Sequence, residues 1–240
     1  MKPALATEET AFRMVPTPRD DLLMPLALRA VTKCWEKGSE AVLRGVDLDL
    51  DVGTKTRIAG RNGVGKTTLM RIAAGLIDPD GGRVEVWGAS PHERRQRYQR
   101  LVSFLPAGDR GLYARLTVRR QLHFWGRIAL IPRRELKARV EAAIDDFALG
   151  ELASRRVDRM SMGQRQRLRI AMTFLTEPDV VLLDEPLTSL DEDGAAVLYA
   201  TIERLLDRGG TVLWCSPSGE RIDYDFDRTF SLENGRLTPT

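Results

Sequence analysis

The stretch Gly60-Arg61-Asn62-Gly63-Val64-Gly65-Lys66-Thr67-Thr68 fits the phosphate-binding pattern G-x-x-x-x-G-K-[ST]. Its glycines permit a tight turn whose backbone N–H groups point inward at an anion. Lys66 can reach the β- and γ-phosphates of a nucleotide as a point charge. The Thr67 hydroxyl can ligate Mg²⁺. The flanks agree: Thr56 to Ala59 reads as a short strand, and Leu69 to Ala74 as a helix ending near Gly75. The phosphates then also lie at a helix N-terminus, where the helix dipole favours negative charge. A chance glycine-rich turn would not need this strand-loop-helix context.

Two more segments carry chemistry. The apolar run Val180-Val181-Leu182-Leu183 ends in Asp184-Glu185-Pro186. A carboxylate at the tip of a buried strand falls beside the phosphate loop in such folds. Asp184 is therefore the candidate that holds Mg²⁺ through water, and Glu185 the one that orients or deprotonates the attacking water. Upstream, Met160-Ser161-Met162-Gly163-Gln164-Arg165-Gln166-Arg167 opens a helix. Ser161 is a good N-cap, and the glycine behind it leaves N–H groups suited to an anion. A plain capped helix is the structural alternative.

The elements that position these groups alternate between strand and helix. Leu26 to Cys34 and Leu43 to Val52 read as strands. Asp80-Gly81-Gly82 reads as a turn into a strand over Arg83 to Trp87, and Leu101 to Leu105 as a strand stopped by Pro106. From about Val118 to Met172 the period is helical. Leu122, Trp125, Ile128 and Ala129 share one face, as do Leu136, Val140, Ala143, Ile144 and Phe147. Val180 to Leu183 suits a central parallel strand buried on both faces. Ala195 to Leu206 is helical, Thr211 to Cys215 a buried strand, and Asn234-Gly235 turns a terminal hairpin. The fold class is α/β: a parallel-sheet core interrupted by an inserted α-helical subdomain. The phosphate loop resembles that of P-loop NTPases (RecA-like), and the resemblance implies their core, here with an N-terminal antiparallel β subdomain. Residues 1–24 read as an extended tail and 25–240 as one nucleotide-binding domain, with the helical insert at about 108–172.

Composition excludes several classes. At 240 residues, with 42% hydrophobic and 30% charged residues, the chain reads as a soluble globular domain. No apolar run approaches the roughly 20 residues of a membrane helix. Two cysteines, Cys34 and Cys215, make no disulfide framework; both read as small buried hydrophobes. A net charge of +3 is too mild to argue for nucleic acid. Arginine crowds Arg94 to Arg134, either as a solvated face or as a surface near anionic headgroups.

Taken in order, the phosphate loop, the 160–167 segment and Asp184-Glu185 resemble the ATP-binding cassette (ABC) ATPase family, with 160–167 standing for its L-S-G-G-Q signature. Ser189-Leu190-Asp191 resembles that family's D-loop. The resemblance covers roughly residues 26 to 240. It implies that Trp35 stacks on adenine (a strand aromatic packed on the core is the alternative), and that ATP and Mg²⁺ are bound. It also implies head-to-tail dimers in which Ser161, Met162, Gly163 and Gln164 serve the partner's ATP. A separate transmembrane permease and a second ABC subunit, identical or different, are the implied partners, and no nucleic acid is expected. The implied location is cytoplasmic, peripheral at the inner face of the cell membrane. The segment Asp109 to Thr117 is similar to drug or polysaccharide efflux subunits, with Leu112, Tyr113 and Leu116 facing a coupling helix of the permease.

Three positions depart from the family. Ala107 stands where a glutamine contacts Mg²⁺ and the attacking water, with Asp109 as a possible substitute. Pro217 stands where a histidine hydrogen-bonds the γ-phosphate. Proline offers no side-chain donor, and Ser216 or Ser218 is the nearest replacement. Met162 replaces the first signature glycine. The expectation is an export-type transport ATPase with slow turnover; a nucleotide sensor with little hydrolysis is the competing reading.

Overall fold

A computed structural model describes residues 24–36 and 40–240. Apart from Met24, the expected N-terminal tail lies outside the described residues. Strands β1 (Leu26–Lys33) and β2 (Leu43–Leu50) pair antiparallel from Leu26↔Leu50 to Lys33↔Leu43, with the register shifting on either side of Val31. β3 (Lys55–Gly60) leads into helix α1 (Lys66–Ala73). β4 (Gly81–Glu85) adds to β1, giving a three-stranded antiparallel sheet in the order β2-β1-β4.

Helix α2 (Arg95–Leu101) precedes β5 (Val102–Leu105). Helices α3 (Val118–Ile128), α4 (Arg133–Asp146) and α5 (Met162–Phe174) follow. The chain then returns through β6 (Val180–Asp184), α6 (Glu192–Asp207), β7 (Thr211–Pro217), β8 (Arg228–Glu233) and β9 (Arg236–Pro239). The larger sheet has the order β5-β6-β7-β3-β8-β9. All neighbours are parallel except the β8–β9 hairpin. Asn234 and Gly235 both have positive φ, as a two-residue hairpin turn requires.

The strands buried on both faces split their side chains between two cores. Val181, Leu183, Val212 and Trp214 join Val118, Leu122, Val140, Ile144 and Leu198 from the helices. The alternate residues Val180, Leu182, Leu213 and Cys215 join Leu28, Leu48, Leu69 and Ile72 from β1, β2 and α1. A period of two on a sheet covered on both sides produces this division.

The structure corrects several expectations. The arginine-rich 95–101 stretch is helix α2, so Leu101 closes a helix and the strand begins at Val102. Its single buried residue, Tyr98, donates to the Ala73 carbonyl at 2.6 Å; Tyr98 and Leu101 among five polar residues leave too short a period to read. Gly81 and Gly82 open β4 rather than precede it. Gly82 has φ +81° and lies against the Arg29 and Ala30 carbonyls, where the β1–β4 register shifts. A Cβ there would collide with both carbonyls, which explains the glycine. Cys34 is only half-buried, unlike the fully buried Cys215. Ile128 is exposed, not on the packed face of α3.

Candidate nucleotide and metal site

β3 and β6 are both parallel neighbours of β7, so their carboxyl ends open on one edge of the sheet. That edge is where α/β folds bind ligands. The phosphate loop leaves β3 at Gly60 and enters α1 after Gly65, whose φ of +114° is open to glycine. A Cβ on Gly65 would lie 2.8 Å from a Val42 methyl and 3.4 Å from Leu43, so the chain entering β2 packs directly on the loop. No side chain caps α1, and the first-turn N–H groups lack intrahelical partners. The buried Lys66 Nζ donates to the carbonyls of Gly60 (2.7 Å) and Arg61 (3.2 Å), which keeps its charge inside the loop.

Thr67 Oγ1 donates to Asp184 Oδ2 at 2.7 Å. Asp184 is only 1% exposed, and its other oxygen, Oδ1, is buried with no hydrogen-bond partner. Burial raises the Asp184 carboxyl above the ordinary carboxylate range, while the Thr67 hydroxyl, the Lys66 ammonium and the Ala107 N–H pull it back. An orphaned carboxylate oxygen beside a threonine hydroxyl is an all-oxygen donor set that suits Mg²⁺. Asp184 and Thr67 thus fit the metal that the sequence implies. Glu185 follows with φ +52° and its N–H on the Cys215 carbonyl at 3.0 Å. A left-handed non-glycine backbone costs about 1–3 kcal/mol and clusters at functional sites.

The 160–167 segment begins α5 with a reciprocal cap. Ser161 Oγ accepts from the Gln164 N–H (3.2 Å), and Gln164 Oε1 accepts from the Ser161 N–H (3.1 Å). Met162 is 52% exposed at this helix start. Among the described residues, no hydrogen bond joins 161–164 to the phosphate loop. A Cβ on Gly163 would lie 2.8 Å from the Ser189 carbonyl oxygen, and Ser189 itself has φ +67°. Leu190 packs on the insert-side core. Asp191 caps α6, accepting from the Gly194 N–H at 2.8 Å, and Arg167 approaches it at 3.2 Å. The Gly194 N–H and then Arg167 hold the Asp191 carboxyl below its ordinary range.

Trp35 is 54% exposed just past β1, with Lys33 Nζ 5.8 Å from its ring centroid. A strand aromatic packed on the core is thus excluded. Asp80 fixes this segment by accepting from the Cys34 N–H (2.6 Å) and Lys33 Nζ (2.8 Å). At the far edge, Pro217 sits opposite Gly60 in the β3–β7 register, and the Ser218 N–H donates to the Gly60 carbonyl at 3.1 Å. Ser216 Oγ is buried and accepts from Arg57 Nε at 2.8 Å, so only Ser218 presents a hydroxyl at the surface.

Sequence reasoning missed Arg57 and Glu220. Arg57 also donates to the Glu220 carbonyl at 3.0 Å. Burial raises the Glu220 carboxyl, Arg57 and Lys66 lower it, and the charge of Glu185 raises it. The Glu220 carboxyl thus responds to the charges of Arg57, Lys66 and Glu185. A charged residue in the middle of an apolar-flanked strand was the available signal for Arg57; Glu220 carried none.

The profile of the ABC transporter family matches residues 43–188. The chain is 32% identical over 195 residues to the ABC transporter ATP-binding protein NatA of Bacillus subtilis, covering 81% of this chain and 79% of NatA. It is 36% identical over 202 residues to the daunorubicin resistance ATP-binding protein DrrA3 of Streptomyces coeruleorubidus, covering 83% of this chain and 63% of that protein. It is 30% identical to the Nod factor export ATP-binding protein I of Burkholderia orbicola, over 88% and 69% of the two chains. A solved ATP-binding subunit of an ABC transporter superposes with a TM-score of 0.80 at 24% identity, covering 88% of this chain and 87% of that one. With this likeness added to the phosphate loop and the Thr67–Asp184 pair, the chain belongs to the ABC transporter family, among its ATP-binding subunits.

Proposed function

We propose that this chain binds Mg-ATP and hydrolyses it to ADP and phosphate, energising export through a separate transmembrane subunit. The observation that carries this reading is the unpartnered, buried Asp184 Oδ1 beside Thr67, at the mouth of a phosphate loop that holds Lys66 inward. The relatives named for drug resistance and Nod factor export support the direction of transport.

Each residue has a role in this reading. The N–H groups of Gly63 to Thr68 cradle the phosphates, and Lys66 engages the β- and γ-oxygens. Thr67 and Asp184 hold the metal. Mg²⁺, when bound, neutralises charge developing on the phosphate oxygens. Glu185 orients the attacking water and receives its proton. Trp35 stacks on adenine. Ser161, Met162, Gly163 and Gln164 of one subunit, with its D-loop Ser189 to Asp191, face the ATP held by a second ABC subunit. ATP draws the two together, and hydrolysis releases them. Exposed Tyr113, set edge-on against Phe124 at 4.9 Å, and the neighbouring Leu112 and Leu116 receive the permease at the inner face of the membrane. No described helix is long and apolar enough to cross a membrane, which fits a separate permease chain.

Ala107 and Pro217 make this turnover slow. A missing donor to developing charge typically costs about 10²–10³ in rate. Slow chemistry alone would equally suit a nucleotide sensor, but relatives named as transport subunits favour transport. The test is nucleotide binding by the parent and Lys66→Ala proteins, together with ATP-driven association. The reading expects Lys66→Ala to lose ATP and the parent to associate on ATP addition. Equal retention of ATP by both proteins overturns it.

A further inference from the structure

The loop between β5 and α3 has no regular structure, carries Ala107 where the family places a glutamine, and still reaches the metal-holding carboxylate. It does so through its main chain: the Ala107 N–H helps draw the Asp184 carboxyl down against the effect of burial. A loop acting through its backbone must be held by something else, and the structure contains the holder. Arg169 on α5 is only 4% exposed. Its guanidinium donates to three alternate carbonyls of the loop: Nη2 to Pro106 (2.5 Å), Nη1 to Gly108, and Nε to Arg110 (3.1 Å). Nη1 also donates to Gln166 Oε1 at 2.6 Å. The amide of Gln166 continues the chain, with Nε2 donating to the Pro186 carbonyl at 2.8 Å, next to Glu185. Further along, buried Gln121 receives the Tyr113 N–H (3.0 Å) and donates to the Gly111 carbonyl (3.1 Å).

We propose that Arg169 is a positioning residue for hydrolysis, fixing the 106–110 backbone and, through Gln166, the Asp184–Pro186 turn as one frame.

This rests on the ATPase reading above. The chemistry of the side chain suits the task. A planar guanidinium presents its donors in a rigid fork and can serve several carbonyls at once, which an ammonium cannot. Among the described residues Arg169 makes no ion pair; backbone dipoles and the more distant charge of Asp109 balance it. Burial lowers its pKa while Asp109 raises it. Asp109 thereby has an electrostatic role beside this guanidinium, in addition to the metal role that its sequence position suggests. Because α5 begins at Ser161–Gln164, the helix that would meet the partner's nucleotide also carries the residues that hold both hydrolytic segments.

The experiment compares the full-length parent, Arg169→Lys and Gln166→Leu. Hydrogen–deuterium exchange over residues 105–113 is read without nucleotide. ATP affinity is read with a fluorescent ATP analogue, and phosphate release is read against ATP and Mg²⁺. Arg169→Lys keeps the charge and much of the volume, so it isolates the fork. The expected result is at least tenfold faster exchange in 105–113 and at least a tenfold lower kcat. The Mg²⁺ concentration for half-maximal turnover rises, and the affinity for ATP changes less than threefold. Gln166→Leu lowers kcat and leaves 105–113 protected, because the three loop contacts remain. Arg169→Lys that exchanges and turns over like the parent overturns the clamp. So does an Arg169→Lys protein that loses ATP binding in parallel with kcat, since that is general damage. A parent with no Lys66-dependent ATP binding overturns the ATPase reading instead, whatever the exchange data show.

Discussion

Gly163 and Ser189 meet backbone to backbone: a Cβ on Gly163 would lie 2.8 Å from the Ser189 carbonyl oxygen. The 160–167 segment and the 189–191 turn are thus fitted to each other within one chain. Gly163→Ala must displace Ser189, which already holds a left-handed backbone at φ +67°. Overpacking of this kind costs about 1–3 kcal/mol. The expected outcome is a lower Tm together with loss of ATP-driven association, read by thermal unfolding and size-exclusion chromatography. Normal association by Gly163→Ala contradicts a role for this contact in shaping the interface.

Trp35 projects from a segment that Asp80 ties down through Cys34 N–H and Lys33 Nζ. Trp35→Ala should lose the roughly 1–3 kcal/mol of a base–aromatic stack, about 5- to 150-fold in ATP affinity. Asp80→Asn should lose a smaller share, since it loosens the platform without removing it. The Cys34 N–H and Lys33 hold the Asp80 carboxyl below its ordinary value. A carboxyl with a depressed folded pKa contributes above its unfolded value, near about 4, and loses that contribution as the pH falls through the folded one. Between pH 5 and 8 this tie therefore stays intact, and ATP affinity should show no pH dependence from it. A fluorescent-nucleotide titration across that range checks both statements.

Pro217 lies in register with Gly60 at the end of β7, next to the phosphate loop. Pro217→His restores a side-chain donor where the chain has none. Turnover should rise at least tenfold, toward the roughly 10²–10³ that such donors contribute. The neighbouring Ser218 N–H bond to Gly60 uses a different residue and should survive. Phosphate release at the parental rate would show that the missing donor is not what limits this site.

Asp184 Oδ1 is buried and unpartnered. Asp184→Asn keeps the shape and removes the charge that suits a metal. The variant should fold with a Tm at or above the parent's without nucleotide, because a desolvated charge is gone. It should also lose the further rise that Mg-ATP gives over ATP alone. Thermal shift assays with and without Mg²⁺ measure both, and an undiminished Mg²⁺ response would remove Asp184 from the metal site.

Much of this architecture was legible in the residues, and the reasons differ by element. The phosphate loop and Asp184 announce themselves because strand, glycines and charge occur in a fixed local order. β6 was readable because burial on both faces demands an unbroken apolar run. α2 was hidden, since only Tyr98 is fully buried, Leu101 packs partly on the core, and the five residues around them are polar. Gly81-Gly82 misled because glycine signals a turn, whereas here it answers to the carbonyls of Arg29 and Ala30 across the sheet. The Arg169 clamp was invisible for a related reason. Its acceptors are main-chain carbonyls about sixty residues away, and any residue type supplies a carbonyl. Tertiary contacts to backbone leave no trace in side-chain identity.

The division of core residues has an implication for building chimaeras. Val212 and Trp214 of β7 belong to the core that Leu122 and Val140 of the helical region also line, with Trp214 near Tyr199 of α6, while the alternate Leu213 and Cys215 belong to the opposite core. Transplanting residues 118–174 alone from a relative would put foreign side chains into the core that holds alternate residues of β6 and β7 and leave the opposite core matched. Such hybrids should recover solubility only when alternate positions of β6 and β7 are exchanged with the helices, so the smallest swappable unit is a face of the sheet and not a continuous stretch of chain.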